Sequence, residues 1–299
     1  MHTTGLLTVK TNFIDGRLVI LDLVLHRPQV AQLFLGKTPE FVVKSVPLLY
    51  SVCAKAQGVA SQSALDGAVT GSFMPASDTA LWTELLHESL WRVLLDWPPL
   101  LGLPAAKEAF VTWHTTRHGS AAAEVTEQLL AGVVTALSES CLKRIPRAED
   151  SCRYEALQFD PGKWLDSYLS NTATEPSLQP PTSVRSAYLA RIAQLHMASR
   201  ALASKTPYPL AVASAQGWGV AQVATARGVL THVAQVVNGN VATYRVCAPT
   251  DAYFADTSAL LALLGQRNFS SLQEARFALD LAVLALDPCV PVQTEVSNA

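Results

Sequence analysis

Charge is scarce in this sequence. Asp, Glu, Lys and Arg make up 15 % of its 299 residues and leave a net charge of −2. With 49 % hydrophobic residues, the chain has the material for a substantial core, which excludes disorder over most of its length. There is no basic stripe, so nothing points to nucleic acid. Long apolar runs are also missing. The best one, ALDLAVLALDP at 278–288, is interrupted by Asp280, stops at Pro288 and is too short to span a bilayer. The N-terminal MHTTGLLTVKTNFIDG lacks the basic-then-apolar layout of a signal peptide. These absences predict a soluble, cytoplasmic protein with no membrane partner. Cysteines are few and odd in number: Cys53, Cys141, Cys152, Cys247 and Cys289. None forms a CxxC pair, so there is no closed zinc site to propose, and their scatter fits a reducing compartment better than a disulfide framework. There is no internal repeat.

What is present reads as mainly α with small antiparallel β elements, an α+β class in a single domain over 1–299. Residues 5–25 alternate around Asp15-Gly16 and predict a hairpin. Residues 29–35 and 40–62 look helical, with Pro39 near the start of the second and Pro47 as a kink. Residues 79–95 place Leu81, Trp82, Leu85, Leu86, Trp91, Leu94 and Leu95 on one broad helical face, with Asp78 as N-cap and Trp97-Pro98-Pro99 as the stop. Another helix is expected over 120–143. Residues 145–183 read as loop or linker with a short helix near Trp164. Helix returns over 184–203. Asn238-Gly239 joins two strands between 228 and 247 as a hairpin. Ser271 and Glu274 form a capping box for a helix over 271–286, which Asp287-Pro288 ends, leaving Cys289 just beyond it.

Residues 217–254 carry a more specific pattern: Gly217, Gly219, Arg227, Gly228, His232, Gly239, Tyr244, Pro249 and Thr250, in order. This stretch resembles the large subunits of nickel–iron hydrogenases. Phe13-Ile14-Asp15-Gly16, Gly36-Lys37-Thr38-Pro39 and Asp287-Pro288-Cys289 resemble three further family motifs, the last being the opening of DPCxxCxxH. Counting from Pro39 as the family does, the second cysteine of its N-terminal CxxCxxxH motif falls on Cys53, the first on Tyr50 and the histidine on Gln57. Val292 stands where the second C-terminal cysteine would be, and the family's proton-moving acid falls on Ala31.

The resemblance implies a truncated large-subunit-like fold, about half the usual length, with the missing material in the middle. It also implies a broken metal site. Two of four thiolate ligands remain, Cys53 and Cys289, so nickel is not expected in its usual geometry and hydrogen-splitting catalysis is not expected either. The matching arginine of the family donates to a cyanide on the iron, which Arg227 would do here. Thr250 would donate to a second cyanide, and Pro249 would shape the apolar pocket. A short, degenerate branch of this family acts in hydrogenase maturation. Membership there implies a scaffold that receives an Fe(CN)2(CO) fragment, with a HypC-type chaperone and other maturation proteins on one side and the hydrogenase large subunit on the other. Two thiolates suffice for an iron that already carries three strong ligands, and looser binding suits a carrier.

Plainer readings stand beside these. A lone cysteine is most often a small core residue, which is the expectation for Cys141, Cys152 and Cys247. Arg227 could pair with an acid. His114 and His118 have helical zinc spacing but no evident third ligand. Trp82, Trp91 and Trp97 read as core or as a stripe facing a partner. The function alternatives are a metal-free structural relative of the large subunit acting as an interaction protein, and a redox enzyme subunit.

Overall fold

The computed structural model describes residues 5–73, 77–147, 157–172, 180–265 and 267–298. Cys152 lies outside them. Strands β1 (Leu6–Ile14) and β2 (Arg17–His26) form the expected antiparallel hairpin. Asp15 and Gly16 turn it with φ of 47° and 80°, the positive values that match a two-residue turn to strand twist.

A 3₁₀ turn over Val30–Phe34 leads to α1 (Pro39–Leu49) and α2 (Ala54–Thr70). The sequence predicts one kinked helix over 40–62. The structure has two, because Pro47 supplies no amide hydrogen in the last turn of α1 and Cys53 then takes a left-handed φ of 52°.

In helix α3 (Asp78–Trp91) the N-cap position falls on Ser77 and not on Asp78, and the Ser77 side chain makes no capping hydrogen bond. The Asp78 carboxylate is used elsewhere, accepting the Tyr208 amide at 2.8 Å. The expected stop at Trp97-Pro98-Pro99 does not occur. A π-helical turn, Arg92–Asp96, carries the chain directly into α4 (Trp97–Leu100). Pro98 has no N–H for the Leu94 carbonyl, and Ala106 donates to that carbonyl instead at 2.9 Å, so it is not left orphaned.

Helix α5 (Lys107–Thr116) follows. The helix expected over 120–143 is α6 (Ala122–Leu129) and α7 (Thr135–Leu142), continuous through a second π turn at Leu130–Val134. The short helix near Trp164 is α8 (Pro161–Leu169), and α9 (Val184–Ser204) starts at a Ser183 cap that accepts the Ser186 amide.

Strands β3 (Leu210–Ala215), β4 (Trp218–Thr225), β5 (Gly228–Val237) and β6 (Asn240–Cys247) form an antiparallel sheet in chain order. Sequence pattern identifies only its last hairpin, β5–β6. Strand β4 is buried at every position after Trp218, so it shows no alternation to read. Helices α10 (Pro249–Tyr253), α11 (Ser258–Leu264) and α12 (Leu272–Leu286) complete the helical part. Ser271 caps α12 by accepting the Glu274 amide, but Glu274 reaches back to Ser270 and not to Ser271. A last strand, β7 (Val292–Asn298), is absent from the sequence reading. It pairs parallel with β1, so the small first sheet is mixed, in the order β2-β1-β7. The class is mainly helical with two small sheets, as the sequence pattern predicts. Among the described residues, no helix is long and apolar enough to cross a membrane.

Two packings set the site. Helix α2 lies directly on the four-stranded sheet: a Cβ on Gly219 would sit 1.9 Å from the Ala64 carbonyl oxygen, so only glycine admits this approach. Helix α12 and α11 pack on β1 through Leu7, Val9, Leu260, Leu279 and Leu286. The first packing fixes Cys53, at the start of α2, and the second fixes Cys289, just past α12.

Candidate functional site

Eight parts of the chain converge here: the end of β2, the starts of α2 and α10, the middles of α3 and α9, the π turn after α3, the β4–β5 turn, and the segment after α12. The centre is Arg227, on that turn. Its guanidinium is almost fully buried. Nε donates to the Asp287 carbonyl at 3.1 Å, and Nη1 donates to Glu88 Oε2 at 3.1 Å. Among the described residues its Nη2 has no hydrogen-bond partner. The turn needs Gly228, whose φ is +134° and where a Cβ would meet the Pro249 ring at 3.1 Å.

Asp287 caps α12 in the left-handed region, φ 49°. Its buried carboxylate gathers three arginines: Arg92 at 2.5 Å, Arg191 at 2.6 Å and Arg227 at 3.4 Å. Arg92 also reaches Asp96 at 2.5 Å and donates to the Pro288 carbonyl at 3.2 Å. Arg191 donates to the Ala226 carbonyl and so ties α9 to the turn that carries Arg227. Burial pushes the Glu88 carboxyl upward, but hydrogen bonding from His87 and the charge of Arg227 outweigh it and hold the group at about 2.

The two cysteines face this cluster in different ways. Cys289 Sγ accepts from Arg27 Nη2 at 3.0 Å and from Thr250 Oγ1 at 3.2 Å, while the Cys289 amide donates to Thr250 Oγ1 at 3.1 Å. Arg27 Nε lies 2.6 Å from Asp251 Oδ1, and Asp251 Oδ2 accepts the Ala248 amide at the start of α10. Cys53 is half-buried, yet it is crowded by protein atoms, which pushes its thiol strongly upward. Arg227 opposes that shift, whereas Glu84, Cys289 and Glu88 add to it, so the two sulfurs are near enough to feel each other's charge. Glu84 holds the start of α2 by accepting the Lys55 and Ala56 amides at 2.7 and 2.9 Å.

Behind Cys53 runs a buried neutral chain. Gln57 Nε2 lies 4.0 Å from Cys53 Sγ, Gln57 Oε1 lies 2.8 Å from His232 Nε2, and His232 Nδ1 lies 2.7 Å from the Tyr244 hydroxyl. With the amide oriented this way, His232 carries its proton on Nε2 and accepts from Tyr244. Burial holds the ring neutral, at about 3.

The structure thus brings Cys53, Arg227, Pro249, Thr250 and Cys289 to one place. Arg27, Glu88, Arg92, Arg191 and Asp251 escape sequence reasoning, since isolated arginines and acids on separate elements give no spacing to read. Arg227 does pair with acids, but within the site and not at the surface. Tyr50, where the family's first cysteine would fall, is close enough to Arg27 to interact electrostatically, with its phenol pushed up to about 12 by burial. Cys141 is fully buried core and Cys247 is half-buried. Trp82 and Trp97 are core, whereas Trp91 is exposed. His114 packs against His87 and Phe110. Among the described residues no three His, Cys, Asp or Glu side chains are grouped to hold a metal ion, so His114 and His118 make no zinc site there.

No family profile matches the chain. The hydrogenase expression/formation protein HupK of Azotobacter vinelandii is 30 % identical, with 99 % of each chain covered. HupK of Rhodobacter capsulatus is 29 % identical over 89 % of each. Among solved structures, the Ni-Fe-Se hydrogenase of D. vulgaris Hildenborough superposes with a TM-score of 0.58 at 12 % identity, covering 92 % of this chain and 94 % of that one. That likeness is one of fold.

Proposed function

As this chain belongs to the HupK family of hydrogenase expression/formation proteins, we propose that it acts in hydrogenase formation as a non-catalytic scaffold that holds an Fe(CN)2(CO) fragment between Cys53 and Cys289 and passes it to the hydrogenase large subunit. The observation that carries this reading is Arg227. A buried guanidinium with an unengaged Nη2 lies within electrostatic reach of both thiols, in a site whose other arginines are committed to carboxylates. Such a nitrogen offers charge-assisted donors to an anionic ligand such as a cyanide nitrogen. Thr250 is the second donor, once its hydroxyl turns from Cys289 sulfur toward the fragment.

The donor set suits a fragment better than a bare ion. Two soft thiolates fall short of a closed site for nickel, zinc or iron, but an iron with three strong ligands of its own needs few more. The ion-pair network is a second support. Arg27, Arg92, Arg191 and Arg227 are balanced by Glu88, Asp96, Asp251 and Asp287. The pocket is therefore preorganised without its cargo, as a receiving site should be. A HypC-type chaperone is the donor this reading calls for, and the large subunit is the acceptor.

Infrared spectroscopy of the protein purified from cells with intact maturation genes tests the proposal. Cyanide and carbonyl stretches are expected, and they should vanish in Cys53→Ala and in Cys289→Ala. Bands that persist in both single variants would sink the two-thiolate site. Bound nickel or hydrogen-dependent dye reduction would favour a redox subunit instead.

A further inference from the structure

The two cysteines are chemically unequal. Cys53 has one long polar contact at its sulfur, Gln57 Nε2 at 4.0 Å. Cys289 has two donors, and one is a cation: Arg27 Nη2 at 3.0 Å and Thr250 Oγ1 at 3.2 Å. Arg27 is not free to drift. It leaves the end of β2 beside Pro28, its Nε is paired with Asp251 at 2.6 Å, and Asp251 is fixed by the Ala248 amide. The guanidinium is only partly exposed, so solvent screens it incompletely.

A sulfur lone pair that accepts an N–H bond has less density to give a metal, and a fixed positive charge beside the bond opposes a cationic centre. The hydrogen-bond effect acts at Cys289 and not at Cys53, because Arg227, whose charge also reaches Cys53, makes no hydrogen bond to its sulfur. We infer that Arg27 is a positioning residue that keeps the bond between Cys289 and its metal cargo weak, making Cys289 the side from which cargo is released. This deepens the scaffold reading and rests on it for the identity of the cargo. It does not rest on it for the effect of Arg27 on a metal–sulfur bond. The Thr250 hydroxyl reinforces the asymmetry while it points at sulfur, and relaxes it when it turns toward a ligand of the iron.

The test uses the full-length protein and Cd2+ as probe, followed by sulfur-to-cadmium charge-transfer absorbance. Kd is taken from a pH series so that proton competition at sulfur is removed. Arg27→Met should bind Cd2+ about tenfold tighter, at the low end of what groups around metal ligands usually contribute. Arg27→Gln, which removes the charge and keeps a neutral side chain able to donate, should shift Kd the same way by less, and it carries the test if Arg27→Met does not fold. In a Cys289→Ala background, Arg27→Met should have no effect. Unchanged or weaker Cd2+ binding in Arg27→Met and Arg27→Gln overturns the inference. In protein loaded in cells, the carbonyl stretch should fall in Arg27→Met as the sulfur donates more, and a stretch that rises or stays put counts against it. A wild type that never shows cyanide or carbonyl bands would sink the cargo reading, while the cadmium comparison still decides the role of Arg27.

Discussion

Arg227 and Asp287 lie 60 residues apart and are joined twice, by a hydrogen bond from Nε to the Asp287 carbonyl at 3.1 Å and by an ion pair to its carboxylate at 3.4 Å. The helix stop that ends α12 is therefore also the anchor of the arginine at the centre of the site. Because Asp287 is buried and serves Arg92 and Arg191 as well, it organises the pocket from a single backbone position.

Removing that carboxylate should be costly. Asp287→Ala leaves three partly or fully buried guanidiniums short of a partner, and a broken buried ion pair typically costs about 3–5 kcal/mol. Asp287→Asn keeps the left-handed cap and the carbonyl contact to Arg227, but not the charge. Thermal or denaturant melts should rank wild type above Asn and Asn above Ala. Equal stability for all three would show the network to be ornamental.

Cys53 makes a different prediction. A non-glycine residue at φ 52° carries a backbone cost of about 1 kcal/mol. Cys53→Gly relieves that cost and loses only a small side chain, so it should be at least as stable as Cys53→Ala. Neither variant should load metal. A large deficit of both variants against wild type in melts would mean that the sulfur packs the core and is not held there for chemistry.

The site was legible in sequence only where residues keep an ordered spacing. Arg227, Pro249 and Thr250 sit within one contiguous stretch, and Cys289 follows a readable helix stop. The surrounding arginines and acids come together only because α2 and α12 are pinned on two different sheets. Those pinnings depend on single residues, such as Gly219, that carry no chemistry of their own. The fold shows the same division. Hairpins with Asp-Gly and Asn-Gly turns and a helix with a serine cap announce themselves locally. Strand β4 is hidden because it is buried on both faces, and β7 because its partner, β1, lies at the other end of the chain. The run through Trp97-Pro98-Pro99 misleads because a distant amide, that of Ala106, satisfies the carbonyl the proline leaves open.

Gly219→Ala tests the pinning of α2. The new Cβ would fall 1.9 Å from the Ala64 carbonyl oxygen, a backbone atom that cannot rotate away. The helix must shift, at a cost of about 3 kcal/mol or more, above the usual range for an added core methyl. The shift should also move Cys53. Cadmium binding should therefore weaken in whatever fraction stays folded. A variant with wild-type stability and wild-type cadmium affinity would show that the sheet yields easily and does not place the cysteine.

Acid stability should fall in two stages that two side chains account for. His232 is held neutral to about 3 by burial, against an ordinary value of 6.5, so between those limits the unfolded chain binds the extra proton and stability drops as pH falls. Glu88 is held at about 2 against 4.5, so its contribution is complete above 4.5 and is lost as pH falls toward 2. Melts at a series of pH values should show a decline beginning near 6.5 and steepening below 4.5. His232→Gln should flatten the upper part of the curve and Glu88→Gln the lower. The proton-linked slope between 6.5 and 4.5 is the decisive quantity. If His232→Gln keeps all of it, the buried ring is not the group that charges on unfolding, and the neutral chain from Tyr244 to Cys53 would lose its electrostatic basis.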